Sequence, residues 1–249
     1  MKTFALVVAA STAFFVAPVL AADLGRMPVK APVVAPVPYF SWTGCYIGVQ
    51  GGGAWGRSRH INEVGGIRTN ITDKYDVDGF LIGPTVGCNY QMGGFVLGIE
   101  GDWSWSSKEG DAFNIAPFDT TALSQTRENW LATVRGRIGW AFDRWMIYAT
   151  GGGAFAEIEA RVVPPVVAPI SESRTRSGWT LGGGFEWAFA PNWSAKIEYL
   201  HVEFENEGYF LTPPPGFANR AGGVPLHNDI VRAGINYRFS WGGPVVASY

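Results

Sequence analysis

The sequence predicts an all-β chain, an eight-stranded antiparallel up-and-down transmembrane β-barrel. Three observations lead there: apolar and polar residues alternate with a period of two, the connections between the alternating stretches are short and long in turn, and the composition suits water poorly. Only 16% of the 249 residues are charged, 14% are aromatic and 33 are glycine, too few charges for a soluble surface. Other classes fall away on the same arithmetic. A balance of 19 basic to 21 acidic residues provides no basic footprint, so no nucleic-acid partner is expected. Two cysteines exclude a disulfide scaffold and a four-cysteine zinc site, and 47% hydrophobic residues are too many for a disordered chain.

Taken in order, Met1-Lys2-Thr3 precedes an apolar stretch from Phe4 to Ala17, and Pro18 to Ala22 ends it in small residues. This three-part form predicts a secretory signal over 1–21, cleaved after Ala21 or, next, Ala22. Residues 22–41 carry Pro28, Pro32, Pro36 and Pro38. They read as a semi-rigid polyproline II linker.

The barrel is expected over 42–239. Phe95, Leu97, Ile99, Trp103 and Trp105 share one face of a strand, opposed by Gly98, Glu100, Asp102 and Ser104. The same split recurs around Phe80–Tyr90, Trp130–Phe142, Trp179–Phe189 and Val231–Phe239, and less regular stretches at 43–56, 145–160 and 193–204 complete the set. Short turns fall near Met92-Gly93, Asp143-Arg144 and Ala190–Asn192, and long connections near 57–77, 107–127, 161–175 and 205–228. A meander of this kind has two unlike ends, with both termini on the short-turn side. Such strands carry too many indoles on one face to fit inside a narrow barrel, so that face is expected outside, against lipid, with glycines and charges in a polar interior. Aromatics beside the short turns (Tyr90, Phe95, Trp140, Phe142, Trp145, Trp187, Phe189, Trp193) and toward the long loops (Trp55, Phe80, Trp105, Trp130, Trp179) form two interfacial girdles.

The phase of each strand sends Glu100, Asp102, Arg135, Arg137, Glu186, Lys196, Glu198, Arg232 and Arg238 inward, five positive against four negative. Opposite charges in a narrow lumen are expected to pair and plug it. If the connection 57–77 is symmetric, its midpoint sets Cys45 opposite Cys88, which leaves two readings: a cross-strand disulfide or two lipid-facing thiols. His201 with a serine such as Ser104 is the one arrangement that could hydrolyse a lipid ester, and no local motif supports it. Gly51-Gly-Gly53-Ala-Trp-Gly56 matches a dinucleotide fingerprint but lies within a strand and opens no helix. No metal-ligand spacing occurs and no cofactor is expected.

With its signal, linker, opening Trp42-Thr-Gly-Cys-Tyr-Ile-Gly48 and closing Val231–Phe239, the chain resembles the small outer-membrane immunogenic, porin-like barrel proteins of α-proteobacteria, similar in architecture to the OmpA transmembrane domain. The resemblance implies a bacterial outer-membrane location with periplasmic termini, contact with outer-membrane lipid and lipopolysaccharide, and a structural role with surface loops open to host, antibody, adhesion or haem contacts. A small-solute porin is the alternative implied by the family's naming, and a lipid-modifying enzyme the third. Arg232, Gly234, Tyr237 and Phe239 fill the positions of the signal read by the barrel-assembly machinery. The extension 240–249 departs from barrels that end at the final aromatic, and its ten residues are too short for the wall-binding domain that follows the OmpA barrel.

Overall fold

Strand alternation closes the wall as the period-two pattern requires. The computed structural model describes residues 40–239 apart from 65–66, 167, 206–207, 210–221 and 225. The expected signal, most of the linker and the extension 240–249 lie outside the described residues. In chain order the elements are β1 (Gly44–Ser58), β2 (Ile61–Val64), β3 (Ile67–Asn70), β4 (Tyr75–Met92), β5 (Phe95–Phe113), β6 (Leu123–Phe142), β7 (Trp145–Val163), β8 (Ile170–Trp187), β9 (Trp193–Phe204), β10 (Gly208–Tyr209), β11 (Gly222–Gly223) and β12 (Leu226–Phe239). Eight of them form one closed barrel in the order β1-β12-β9-β8-β7-β6-β5-β4, every pair antiparallel. Each barrel strand therefore lies beside its sequence neighbour in the barrel, and β12 seals the wall against β1. Two of the tight turns need a left-handed residue, supplied by Gly93 (φ 61°) and Asp143 (φ 54°), types that tolerate it.

Two expectations are corrected. The long connections are shorter than the sequence suggested: β5 continues to Phe113, β6 begins at Leu123, β7 runs to Val163 and β8 begins at Ile170, so much of 107–127 and 161–175 is paired strand. The first and last connections also contain small hairpins, β2 with β3 and β10 with β11. The second correction concerns the interior, which is not polar throughout. Leu81, Leu131, Ile158, Leu200, Val202 and Ile230 are buried inside the barrel in one apolar cluster with Ala154, Ala156, Ala160, Phe204 and Leu226.

Both corrections have one cause, an inversion of polarity along the wall. Between the two aromatic girdles the outward residues are apolar, with Ile99 and Val134 exposed by 68% and 65%. On β5 this outward run ends at Trp105, on β6 at Trp130, on β7 at Phe155 and on β8 at Trp179. The apolar outward stretch is thus 95–105 on β5 and 145–155 on β7, close to the roughly 9–11 residues that a tilted strand needs to cross a bilayer. Beyond it the outward positions become Glu109 and Asp111, Arg127 and Gln125, Glu157, Glu159 and Arg161, then Ser177, Thr175 and Ser173. Inward positions switch the other way, to Ala156, Ile158, Ala160 and Phe204. The strands therefore protrude ~15–20 Å past the girdle as a tube on a largely water-soluble plan, mostly apolar inside apart from buried charges such as Lys108 and Glu128, and polar or charged outside. Register shifts between Trp105 and Lys108 and between Glu128 and Trp130 mark the boundary, bulges that re-aim side chains where the surrounding medium changes.

The girdles themselves are built from ring pairs. Phe95 meets Trp140 edge-on at 4.5 Å, Trp145 stacks on Trp187 at 5.2 Å, and Trp193 meets Tyr237 at 5.1 Å. Trp42 belongs to neither girdle. It is buried inside the short-turn mouth, its indole N–H donating to the Asp143 carbonyl at 3.0 Å.

A charge on the apolar band should be far more damaging than an apolar residue on the tube above it. Val134→Arg is expected to lower stability by about 2–4 kcal/mol in liposomes. Glu159→Leu should stay within about 1 kcal/mol of the parent. Urea titration of refolded protein, followed by tryptophan fluorescence, reads both.

Candidate functional site

The lumen is the candidate site, and it is stratified. At the short-turn mouth Trp42, Val96, Ala141, Met146, Tyr148 and Ala188 pack together, with Phe40 set against them. The backbone N–H of Trp42 donates to the Gln91 amide oxygen at 2.7 Å, which turns the chain entering β1 inward across the opening. Phe40 and Ser41 therefore belong to the barrel mouth rather than to the linker assigned over 22–41.

Above this lid lies an ionic layer. Arg135, on β6, bridges Glu100 (2.5 Å), Asp102 (3.0 Å) and Glu198 (3.0 Å). Arg232, on β12, forks onto Asp102 at 2.9 Å and reaches Glu198 at 2.8 Å. Lys196 binds Glu100 at 2.8 Å and Arg137 binds Glu186 at 2.7 Å. Neutral groups add further hydrogen bonds to the same carboxylates. Tyr148 donates to Glu198 at 3.0 Å, Thr133 to Asp102 at 2.6 Å, Tyr46 to Glu100 at 2.5 Å, and Ser194 and Asn236 to Glu186 at 2.6 and 2.9 Å. The Arg137 guanidinium also lies over the Tyr148 ring at 4.2 Å. Glycines make room for the two tyrosines, since a Cβ at Gly87 would sit 2.4 Å from the Tyr46 hydroxyl and one at Gly184 2.6 Å from that of Tyr148.

Eight of the nine charges assigned inward from the sequence meet in this layer. The ninth, Arg238, does not. It sits at the mouth, donating to the carbonyls of Ser41 and, at 2.8 Å, Pro191, with its guanidinium 4.3 Å from the Phe40 ring centre. Strand phase correctly gives its side of the wall but says nothing of depth. Its removal leaves Arg135, Arg137, Lys196 and Arg232 against Glu100, Asp102, Glu186 and Glu198, four charges of each sign.

Within the apolar cluster, level with Ile158 and Val202, lies a second polar group that sequence reasoning missed. Lys108 and Glu128 are fully buried and 3.6 Å apart. Asn228 joins them, accepting from Lys108 and donating to Glu128 at 2.6 Å. Burial holds the Lys108 ammonium below its ordinary range, against the opposing pull of Glu128. Near it His60 contacts the Thr126 hydroxyl at 3.1 Å, and Thr126 shares a hydrogen bond with Tyr75 at 2.6 Å. The amides of Ile71 and Thr72 donate to the His60 carbonyl, and Ile115 donates to that of Ile71, so the first two long connections are tied together above the tube. Burial, helped by the Arg176 charge, pushes the His60 imidazole from 6.5 down to about 4.

Cys45 and Cys88 are directly paired across β1 and β4 and joined by a disulfide. The four residues assigned to an assembly signal divide by face. Arg232 is in the ionic layer, Gly234 packs inward against Val49 and Gln50, and Tyr237 and Phe239 join the outward aromatics 5.2 Å apart. The arrangement of His201 with Ser104 is ruled out. Ser104 is buried in the lumen, whereas His201 faces outward beside Trp179 and pairs with Asp229 at 2.8 Å, so the barrel wall separates them. Among the described residues no three histidine, cysteine or acidic side chains are grouped to hold a metal.

Comparison with known proteins places these features in a family. The model of the outer membrane protein beta-barrel domain matches residues 7–239. The 31 kDa outer-membrane immunogenic protein of Brucella melitensis is 33% identical over 243 residues, 94% of this chain and 99% of that protein. The 25 kDa outer-membrane immunogenic protein of Brucella abortus is 28% identical over 250 residues, covering 96% and 100%. Among solved structures, the outer membrane protease OmpT from Escherichia coli superposes with a TM-score of 0.52 at 8% identity, over 82% of this chain and 99% of that one. That likeness concerns the fold alone.

Removing one member of the ionic layer leaves its partners buried and uncompensated. Glu100→Gln should cost about 3–5 kcal/mol. A smaller loss, of about 1 kcal/mol, is expected for Arg238→Ala, whose partners are carbonyls at the mouth. Urea midpoints in liposomes compare the two.

His60 sets a pH dependence. Its folded value of about 4 lies below the unfolded one, so protonation favours opening. The full contribution, about 3 kcal/mol, is present above pH 6.5 and is lost progressively as pH falls toward 4. Protection factors of the Ile71 and Thr72 amides, referred to intrinsic exchange at each pH, should fall across that window, and His60→Gln should flatten the response.

Proposed function

This chain belongs to the outer membrane protein β-barrel family, and from that premise we propose that it is a structural outer-membrane barrel whose long connections serve as a surface antigen or adhesive face rather than as the mouth of a pore. The protein resides in the bacterial outer membrane, as its relatives do. One observation carries the structural reading: the ionic layer, closed by Trp42 on one side and by the Leu81–Leu131–Leu200–Ile230 cluster on the other, fills a lumen that eight strands leave barely wide enough for side chains. A solute porin would need an open path through both layers. Stable large conductance from purified protein in planar bilayers would sink the structural reading; closed or only brief, small events are expected.

The short-turn end is assigned to the periplasm and the protruding tube to the exterior, following the usual disposition of such barrels. On that assignment the termini are periplasmic. Residues 1–21 act as the export signal, 22–39 serve as the periplasmic linker, and Arg232, Gly234, Tyr237 and Phe239 engage the assembly machinery. Lipopolysaccharide surrounds the outer girdle, and host or antibody contact falls on the long connections. The separation of Ser104 from His201 supports a role without catalysis. A protease site inserted at 119–121 should be cut on intact cells, while one inserted at Asp143-Arg144 should be cut only after the outer membrane is opened. The reverse pattern would invert the assignment.

A further inference from the structure

We infer that the Cys45–Cys88 disulfide is made before the barrel enters the membrane and is sealed by lipid afterwards, so that the β1–β4 pairing is fixed covalently while the chain is still in the periplasm. Both cysteines share the outward phase of their strands, with Ile47 and Val49 on β1 and Val86 and Tyr90 on β4. The adjoining outward positions are also apolar, Phe239 across from Cys45 and Ile99 across from Cys88. Ile47, Val86 and Ile99 are more than half exposed on the outer wall, and Phe239 is 37% exposed there. Tyr90, Met92 and the turn at Gly93 lie between Cys88 and the short-turn rim, and the girdle residue Phe239 lies beside Cys45, so the sulfurs stand at the inner edge of that girdle, walled by apolar side chains.

Thiol–disulfide exchange needs a thiolate and a line of attack for the oxidant. An outward site walled by aliphatic side chains and acyl chains disfavours the charge and excludes a protein catalyst. The reaction therefore belongs to an earlier stage, when both thiols are in water. There a periplasmic disulfide-bearing oxidase accepts two electrons. One cysteine thiolate attacks its disulfide, the second displaces it from the mixed disulfide, and the two thiol protons pass either to water or to the oxidase, which leaves accordingly as the dithiolate or the dithiol. The bond spans 43 residues and encloses the whole first long connection, so register across the first hairpin is set before insertion.

A pulse-chase on the natural chain tests this, with thiols blocked at each time point and two properties followed: oxidation by non-reducing mobility, and folding by resistance to unfolding in unheated detergent. The expected order is reduced and unfolded, then oxidised and unfolded, then oxidised and folded. A folded, reduced population that oxidises later would overturn the inference. In purified outer membranes a charged, water-soluble phosphine should reduce the bond at least about tenfold more slowly than after heating in detergent. Equal rates would show that the sulfurs are not shielded. The test is independent of pore function, so a conducting barrel would leave it standing.

Discussion

The wall of this barrel separates three media, and the structure follows from the requirement that each side chain match the one it faces. Within the apolar band lipid lies outside, and in a closed eight-stranded ring the inside has room for little but side chains. Polar groups are therefore pushed inward, where they must satisfy one another. Beyond Trp105, Trp130 and Trp179 water replaces lipid, and the same strands exchange their faces: Glu157 and Glu159 point out while Ala156, Ile158 and Ala160 point in. The bulges at Trp105/Lys108 and Glu128/Trp130 lie at this exchange.

The ionic layer is the inward half of that requirement. Desolvating eight charges is costly, and mutual attraction offsets the cost only when every charge has close partners and no net charge remains. Arg135 touches three carboxylates and Asp102 is shared by two arginines, so both ions are compensated from more than one strand. A fifth cation in the layer would have no matching anion. Arg238 avoids this by stopping at the mouth, where the Ser41 and Pro191 carbonyls and the Phe40 ring receive it. Lys108 and Glu128 repeat the principle as a neutral pair one layer further up.

Much of this was legible in the sequence wherever a strand is amphipathic in the membrane sense. β9 spans 193–204 as read from the alternation, and the outward aromatics were identified by their phase. The protruding tube was not legible because its polarity is reversed. A run such as Lys108-Glu109-Gly110-Asp111-Ala112 still alternates between inward and outward positions, but with charges on the outward ones it resembles a polar loop; on β7 only the part beyond residue 160 escaped. Period, rather than polarity, was the signal to follow there. Glu128 was hidden for a second reason, since the bulge before Trp130 reverses the phase and turns inward a side chain that simple extrapolation sends out. The plugging role of Trp42 was not legible because a tryptophan at a strand end suits a girdle or a plug equally well, and only the turn made through Gln91 decides between them.

The same stratification determines which surface is free to act. Lipid covers the band, and the mouth, the ionic layer and the apolar cluster fill the interior. What remains is the tube beyond the girdle and the connections it carries. Its outward rows mix charge sign, Glu109 opposite Arg127 and Arg127 opposite Glu159, and Arg127 and Glu109 are both well exposed at 3.1 Å separation. Exposed pairs of this kind contribute little to stability, so the core, not the surface charge, holds the tube upright. Sequence can then vary on that surface at low cost to the fold, whereas a change at Glu100 or Arg232 disturbs every strand that meets the ionic layer. A barrel arranged in this way separates its stability, which lies in the lumen, from its contacts, which lie on the tube and its connections.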